Sequence, residues 1–410
     1  MSNKSVKQVD VYLKTTDHPV KVGRLAYRDQ TAYFEYDESF IQKGIELSPF
    51  TLPLKAGLQQ GDPALFDGLP GLFNDSLPDG WGRLLLDRAV REEGILPDEL
   101  TPLDRLTYVG EHGMGALIYY PAHEQSTDTP QQLDLDLLAK QTRQILQGDA
   151  SAVIAEILEL NGSSAGARPK AMIGLNNKKN IIHGANELPA GYEHWLVKFP
   201  NAVEPFDSGA IEFVYAQLAK LAGIETMETC LLPAKHGPGY FATKRFDRAS
   251  QKRFHIHSAC GLLHSDFRTP SMDYKTLLKA TFLLTKSKNE VRKLFRLCVF
   301  NVLMHNKDDH TKNISFMINA DGQWQLTPAY DLTFSSGPGG EQSTMVMGKG
   351  KHITHDDLIE LALSASINKQ EAQTMLDNVL SARAQWKKLA SKAGVSSKSA
   401  QAIERRLNSN

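Results

Sequence analysis

The 410-residue sequence predicts an α+β fold, in which β-rich segments precede a mainly helical C-terminal part. Short runs rich in β-branched and aromatic residues, separated by turn residues, predict strands. They lie at 9–13, 20–25, 31–36, 116–120, 194–199, 229–232 and 239–247. From about residue 251 onwards apolar residues recur at helical spacing, so we expect helices there, apart from one central hairpin.

Helices are predicted wherever apolar residues repeat every three or four positions. They lie at 82–93, 102–108, 133–147, 152–160, 210–222, 291–305, 355–363, 369–389 and 397–407. A polar, proline-containing segment at 121–132 is the expected linker. We therefore expect one domain over 1–125, which is β-rich, and a second over 133–410, which changes from β-rich to helical near residue 250.

The composition fits a soluble, globular, cytoplasmic protein. Hydrophobic residues make up 41% and charged residues 23%, and the formal net charge of −1 gives no case for direct binding of nucleic acid. Three widely spaced cysteines argue against a disulfide framework and fit a reducing compartment. No apolar run is long enough to cross a membrane, and the first residues carry no secretion signal, so no membrane partner is expected.

A polar stretch from Asn306 to Asn313 carries the strongest chemical signal. It lies between a predicted helix and a predicted hairpin with strands at 314–318 and 324–327. Asp308 and Asn313 stand five positions apart, which is the D-x-x-x-x-N spacing of a protein-kinase catalytic loop. Asp331 follows the hairpin, where a kinase has its magnesium-binding aspartate.

These residue types suit phosphoryl transfer. That reaction needs a carboxylate to orient the nucleophile and oxygen ligands for Mg²⁺, and Asp308, Asn313 and Asp331 supply both. Lys312 could neutralise charge on the phosphoryl group in transfer. The competing interpretation is a polar loop whose Asp and Asn side chains only make turn hydrogen bonds.

Two segments before this stretch fit a nucleotide site. The small residues of 161–170 allow backbone N–H groups to approach a phosphate, and Arg168 and Lys170 add positive charge. Lys198 lies among apolar residues of a predicted strand, where a kinase lysine holds the nucleotide phosphates, and Glu212 in the next helix is its candidate partner. A plain surface loop and a lysine facing water are the alternatives.

Three further segments are assigned by their place in the chain. The run Lys244 to Arg248 ends a predicted strand where a kinase hinge would face adenine. The glycine-rich segment 337–340 follows Asp331, as an activation segment does. The glycines of 110–115 predict a tight turn, because they do not form G-x-G-x-x-G, lack the Walker lysine and precede a strand.

Together these segments resemble the HipA family of bacterial serine/threonine kinases, the toxins of type II toxin–antitoxin modules. The resemblance covers nearly the whole chain and implies a two-lobed, protein-kinase-like fold behind a β-rich N-terminal subdomain. The segments that carry it are LPGLFNDSLPDGW (69–81), YVGEHGMGA (108–116), SSAGARPK (163–170), KRFDR (244–248), DDHTKN (308–313) and YDL (330–332).

The resemblance also implies individual roles. Asp308 would be the catalytic base, with Lys312 beside it, and Asn313 and Asp331 would hold Mg²⁺. The nucleotide-binding residues that it implies are Ser164, Ala165, Gly166, Ala167, Lys170, Lys198, Phe246 and His310. Ser163 matches the family's autophosphorylated serine, with Ser164 as the alternative. A phosphate there would expel the loop by repulsion from the phosphates of ATP.

The cofactors implied are ATP and Mg²⁺. The partners implied are a protein substrate, such as an aminoacyl-tRNA synthetase, a helix-turn-helix antitoxin like HipB, and operator DNA bound mainly through that antitoxin. Two departures from the family pattern stand out. Asp309 occupies a position where many members have a small residue, so it is expected to be a solvated neighbour of Asp308 or to change metal affinity. Arg168-Pro169 stiffens the loop.

Three alternatives remain. A small-molecule kinase could use the same loop. A metal-dependent phosphohydrolase could use His305, Asp308, Asp309 and His310 as ligands, although the lysines and the small-residue loop would then have no role. A corepressor could keep the fold and act mainly through a DNA-binding antitoxin.

Overall fold

The computed structural model describes residues 5–123, 132–148, 157–158, 166–184, 186–201, 204–268 and 271–408. The chain forms two compact units. The first comprises Met1–Glu204, Ala242–His257 and Gly261–His264, and the second comprises Pro205–Phe241, Ser258–Cys260 and Ser265–Asn410. The division at 1–125 and 133–410 stays a prediction, because these units group residues by contact and do not follow that boundary.

The strands are β1 Gln8–Leu13, β2 Val20–Arg28, β3 Thr31–Tyr36, β4 Gln59–Gln60, β5 Leu117–Tyr120, β6 Lys170–Asn176, β7 Ile181–His183, β8 Tyr192–Lys198, β9 Thr229–Leu232, β10 Tyr240–Lys244, β11 Arg248–Ala249, β12 Lys252–Arg253, β13 Ile256–Ser258, β14 Ser315–Ile318 and β15 Trp324–Leu326. The helices are α1 Glu38–Ile41, α2 Gly71–Asn74, α3 Gly80–Glu92, α4 Pro102–Val109, α5 Leu135–Gln147, α6 Ser208–Leu221, α7 Ala259–Leu262, α8 Tyr274–Thr285, α9 Lys288–Leu303, α10 His355–Ser364, α11 Lys369–Arg383, α12 Trp386–Lys392 and α13 Ser397–Leu407.

The N-terminal sheet has the strand order β4-β3-β2-β1-β5. Val9, Val11 and Leu13 alternate along β1 and are buried, because successive side chains of a strand point to opposite faces. Helix α4 begins with a capping box, in which Thr101 and Asp104 satisfy each other's backbone N–H groups. The β-rich start of the chain is therefore confirmed.

The second sheet has the order β7-β6-β8-β10-β9. Strands β6 and β8 run antiparallel, and their register puts Lys170 directly opposite Lys198. Residues opposite each other in such a pair lie on the same face of the sheet. The two lysines predicted to contact a nucleotide are thus neighbours on one face.

Helices dominate the second unit, as expected. Apolar residues of α9, including Leu294, Phe295 and Phe300, are buried in its core. Ser287 caps the N-terminus of α9 by accepting a hydrogen bond from the Glu290 N–H. The predicted hairpin is confirmed as β14 and β15, joined by a turn in which the Asn319 side chain accepts from backbone N–H groups.

The single helix expected over 369–389 is wrong, because α11 ends at Arg383 and α12 begins at Trp386. The break lets Trp386 turn into the core, where its ring meets that of Tyr215 edge-on and its indole N–H donates to the carbonyl of Ala400. The expected helix at 152–160 falls largely outside the described residues. Within the described part of the chain, no helix combines the length and apolar character that a membrane span requires.

Candidate active site

The catalytic loop predicted from the sequence follows α9 directly. His305 adopts a left-handed conformation with φ of 51° and so ends the helix, and the Asn306 N–H donates to the carbonyl of Asn301. The Asn306 side chain also donates to the Asn301 side chain at 2.9 Å. The first residues of the loop are therefore fixed to the end of a buried helix, which is rigid support for a reactive group.

Asp308 projects from this loop with 55% of its side chain exposed. The Asn313 side-chain amide donates to the Asp308 carbonyl at 2.8 Å, so the two residues predicted from the D-x-x-x-x-N spacing are held together. The His310 ring nitrogen Nε2 lies 3.7 Å from the Asp308 carboxylate. The loop thus brings an accessible carboxylate, an amide and an imidazole to one place.

Asp331 also belongs to this region. Its neighbour Tyr330 donates from its hydroxyl to the Lys312 carbonyl at 2.6 Å, and the same hydroxyl lies 2.7 Å from the Ser315 hydroxyl. These bonds hold the end of the hairpin against the catalytic loop. Asp331 itself has φ of 56°, an uncommon conformation that Asp tolerates better than most residues and that is enriched at functional sites.

Phe267 is a part of the site that the sequence analysis missed. Its ring centroid lies 5.2 Å from that of His310 and 5.1 Å from the Lys312 ammonium nitrogen. An ammonium group over an aromatic face is attracted by the ring's quadrupole. Phe267 thus supports the two residues, but it comes 43 positions before His310, and no spacing in the sequence indicates the contact.

Asp309 has the opposite environment to Asp308, since only 1% of its surface is exposed. Its carboxylate accepts hydrogen bonds from the Tyr274 hydroxyl (2.9 Å), the Gln342 side chain (3.0 Å) and the backbone N–H groups of Ser343 (2.9 Å) and Thr344 (3.2 Å). Burial raises the pKa of Asp309 to about 6, although these donors oppose the shift. The expectation of a solvated carboxylate is therefore wrong, because its oxygens link the catalytic loop to segment 342–344.

This network also weighs against the phosphohydrolase alternative. In that reading Asp309 would be a metal ligand, but its oxygens are already occupied by four donors. Among the residues that the structure describes, no group of three or more His, Cys, Asp or Glu side chains is arranged to hold a metal ion. Two oxygen ligands such as Asn313 and Asp331 suit Mg²⁺ better, since it fills its shell with phosphate and water.

The first unit holds the predicted nucleotide-binding lysines. Lys170 and Lys198 are 5% and 7% exposed and lie opposite each other on β6 and β8. An ammonium group is a strong hydrogen-bond donor to phosphate oxygens, so two lysines at neighbouring positions suit a phosphate ligand. The alternative of a Lys198 that faces water is wrong.

The small-residue loop is described from Gly166 onwards, so Ser163, Ser164 and Ala165 lie outside the described residues. Gly166 has φ of 102°, and its N–H donates to the Asp79 carboxylate. Its carbonyl accepts from the Trp81 N–H at 3.1 Å. The predicted roles of Gly166 and Ala167 in nucleotide binding stay predictions.

The segment Lys244 to Arg248 has a structural role that its sequence did not indicate. Arg245 donates twice to the Asp247 carboxylate, and Arg248 donates to it and to the carbonyls of Gly113 and Gly115. Burial alone would raise the pKa of Asp247, but the two guanidinium groups hold it well below its usual range. Phe246 is half-buried between these residues, and its proposed contact with adenine stays a prediction.

One cluster in the first unit has the geometry of a catalytic triad. His257 Nδ1 lies 2.6 Å from the Asp75 carboxylate, and its Nε2 lies 3.0 Å from the Ser48 hydroxyl. A nucleophile must be reached by its substrate, whereas Ser48 is fully buried and its hydroxyl also contacts Thr51. The cluster therefore joins three distant segments of the chain and lacks the accessible nucleophile that a catalytic triad needs.

Comparison with known proteins agrees with this architecture. A family model described as the HipA-like C-terminal domain matches residues 162–386, and one described as the HipA N-terminal domain matches residues 9–120. The chain is 27% identical over 289 residues to Toxin YjjJ of Escherichia coli, a match that covers 66% of this chain and 61% of that protein. It is 26% identical to Putative kinase Y4dM of Sinorhizobium fredii, over 78% of this chain and 76% of that protein.

A solved structure shows the same fold. HipA of Shewanella oneidensis, in a complex with HipB and its operator DNA, superimposes with a TM-score of 0.67 at 16% identity, covering 97% of this chain and 94% of that chain. The expected α+β, kinase-like fold is thereby confirmed. Because the C-terminal family model alone spans more than half of the sequence, the chain belongs to the HipA family.

Proposed function

We propose that this protein is an ATP- and Mg²⁺-dependent protein serine/threonine kinase and the toxin of a type II toxin–antitoxin module. The observation that carries the proposal is the pairing of an exposed Asp308 with Asn313 on a loop fixed to a buried helix. Membership in a family of toxin kinases and the name of the relative Y4dM add support. A protein acceptor is favoured over a small molecule by the family alone.

The residues have complementary roles in this proposal. Asp308 accepts the proton of the attacking hydroxyl and orients it, while Lys312 stabilises charge that develops on the phosphoryl group. Lys170 and Lys198 bind the phosphates of the nucleotide. Magnesium, when bound, neutralises phosphate charge. Asn313 and Asp331 supply oxygen ligands of the type that it prefers, and the Tyr330–Lys312 bond joins the two segments that carry them.

The decisive experiment is intact-mass spectrometry of the purified chain after incubation with ATP and Mg²⁺. We expect one added phosphate that maps to 163–170, because Ser163 is the proposed site of autophosphorylation. Asp308→Ala should slow the transfer by roughly 10²–10⁴-fold or more, since it removes the general base. Asp321→Ala is a matched control, because that carboxylate is exposed in the hairpin turn. Equal transfer by wild type and Asp308→Ala would refute the assignment.

The proposed partners are a helix-turn-helix antitoxin and, through it, operator DNA. The Shewanella structure supports this, since there HipA is found with HipB and operator DNA. The affinity of the antitoxin for its operator, measured with and without this chain, tests the partnership. The cytoplasm is the proposed location, supported by three cysteines that form no disulfide.

A further inference from the structure

The start of α3 contacts the small-residue loop at Gly166, through both the N–H and the carbonyl of that residue. The Gly166 N–H donates to the Asp79 carboxylate, and the Gly166 carbonyl accepts from the Trp81 N–H at 3.1 Å. Trp81 is buried, so this end of the helix is well anchored. Gly166 is therefore held from both sides by the LPDGW part of the N-terminal region.

The absence of a side chain at Gly80 allows α3 and the small-residue loop to approach this closely. Its φ is 44°, and a Cβ atom there would lie 2.7 Å from the Gly166 oxygen and 2.8 Å from the Ala167 Cα. Both neighbouring atoms belong to the backbone, which cannot move aside as the end of a side chain can. A residue larger than glycine at position 80 must therefore displace the loop.

The contact lies next to one of the two buried lysines. A Cβ atom on Gly166 would be 2.7 Å from the Lys170 ammonium nitrogen, and only three residues separate Gly166 from Lys170. Two of those three residues, Arg168 and Pro169, are held as well. Arg168 pairs with Glu204 at 3.1 Å, and the Pro169 carbonyl accepts from the Phe199 N–H at 2.8 Å.

We infer that Asp79 and Gly80 are positioning residues for nucleotide binding, acting through Gly166 on segment 166–170. The inference rests on the proposed kinase function. A loop that is already held in place loses less conformational entropy when it binds a phosphate. Part of that entropy has been lost during folding, so binding is more favourable. Through this contact the N-terminal region increases the affinity of the site for the phosphates of ATP. It does not affect the affinity for adenosine, which has no phosphate.

Gly80→Ala tests the inference, with Gly94→Ala as its matched control. Both glycines lie at the ends of α3 and have positive φ, 44° and 80°, but a Cβ atom at Gly94 meets nothing within 4 Å. The cost of a positive φ is thus common to both variants. By isothermal titration calorimetry on the full chain, we expect Gly80→Ala to weaken ATP binding about tenfold or more and adenosine binding less than about twofold.

Asp79 gives a second pair of variants. Asp79→Ala removes the acceptor of the Gly166 N–H and should weaken ATP binding in the same selective way. Asp79→Asn keeps an oxygen acceptor and should recover most of the lost affinity. Rescue by Asn distinguishes the positioning of the loop from a general loss of folding.

The outcomes separate the two proposals. Unchanged or stronger ATP binding in Gly80→Ala and Asp79→Ala overturns the positioning role, and so does an equal loss of ATP and adenosine. If the wild-type chain binds no nucleotide at all, the proposed kinase function fails together with the inference. Selective loss of ATP affinity in both variants, absent in Gly94→Ala, establishes the positioning role.

Discussion

At the scale of single residues, the adjacent carboxylates Asp308 and Asp309 show how position in the fold decides role. Spacing identified Asp308 in the sequence, because its partner Asn313 is only five positions away. The partners of Asp309 come from Tyr274 and from 342–344, more than 30 positions distant, and no local pattern reveals them. The sequence could therefore predict the proposed catalytic residue but not the buried neighbour that supports its loop.

Asp309→Ala should destabilise the fold far more than Asp308→Ala. The substitution leaves the Tyr274 hydroxyl, the Gln342 amide and two backbone N–H groups without their buried acceptor, at a cost of roughly 2–4 kcal/mol in the free energy of unfolding. Asp308 is the matched control, and its exposed side chain should cost less than about 0.5 kcal/mol. Urea denaturation at pH 7 measures both, and equal values would contradict the buried network.

At the scale of elements, the structure of segment 69–81 differs most from what its residue types favour. It is rich in Gly, Pro and Asp, which favour turns, yet Gly71–Asn74 forms α2 and residues 80–81 begin α3. Gly71 shows why. A Cβ atom there would lie 2.1 Å from the Gly261 oxygen, so two backbones almost 200 residues apart meet directly. Contacts of that separation are invisible to periodicity and turn propensity.

We expect Gly71→Ala to lower the free energy of unfolding by roughly 1–3 kcal/mol, because the added methyl group overpacks a backbone contact. Gly350→Ala is the control. Gly350 likewise has no left-handed φ, and its Cβ atom would meet only the flexible side chain of Glu341 at 3.3 Å. Thermal unfolding of the two variants checks the difference. A loss in Gly350→Ala as large as that in Gly71→Ala would show that the steric reason is wrong.

At the scale of the whole molecule, the sequence predicted the fold class and the family but not the grouping of contacts. Alternating apolar residues and helical spacing predicted the bounds of most strands and helices to within a few residues, because those patterns are local. The contact units are not contiguous, since 242–257 joins the first unit. Asp247 and Arg248 tie this segment to the glycine turn at 110–115, and no local pattern in the sequence indicates these contacts.

Buried histidines predict how the molecule responds to acid. Burial lowers the pKa of His194 and of His255 to about 3, with nearby arginines adding to the effect at His194. The unfolded chain binds protons at these residues near pH 6.5 and the folded chain does not, so stability falls as the pH drops from about 6.5 towards 3.

His255→Gln should reduce this acid sensitivity. Gln keeps an N–H that can donate to the Leu47 carbonyl, which His255 contacts at 2.9 Å, but it has no proton to gain. We expect the loss in free energy of unfolding between pH 7 and pH 5 to be smaller in the variant than in wild type. Urea titrations at both pH values measure it. The exposed His18 gives the control His18→Gln, which should match wild type.

The Asp75–His257 contact has a consequence for synthesis on the ribosome. The two residues are 182 positions apart, and at about 5–20 residues per second His257 follows Asp75 by roughly 10–35 s. During that delay the nascent N-terminal region lacks His257, Gly261 and the arginines beside Asp247, and it cannot complete its own packing. A half-made chain should therefore be a substrate for chaperones and proteases, and ribosomes that stall within this window would release fragments that degrade without becoming active.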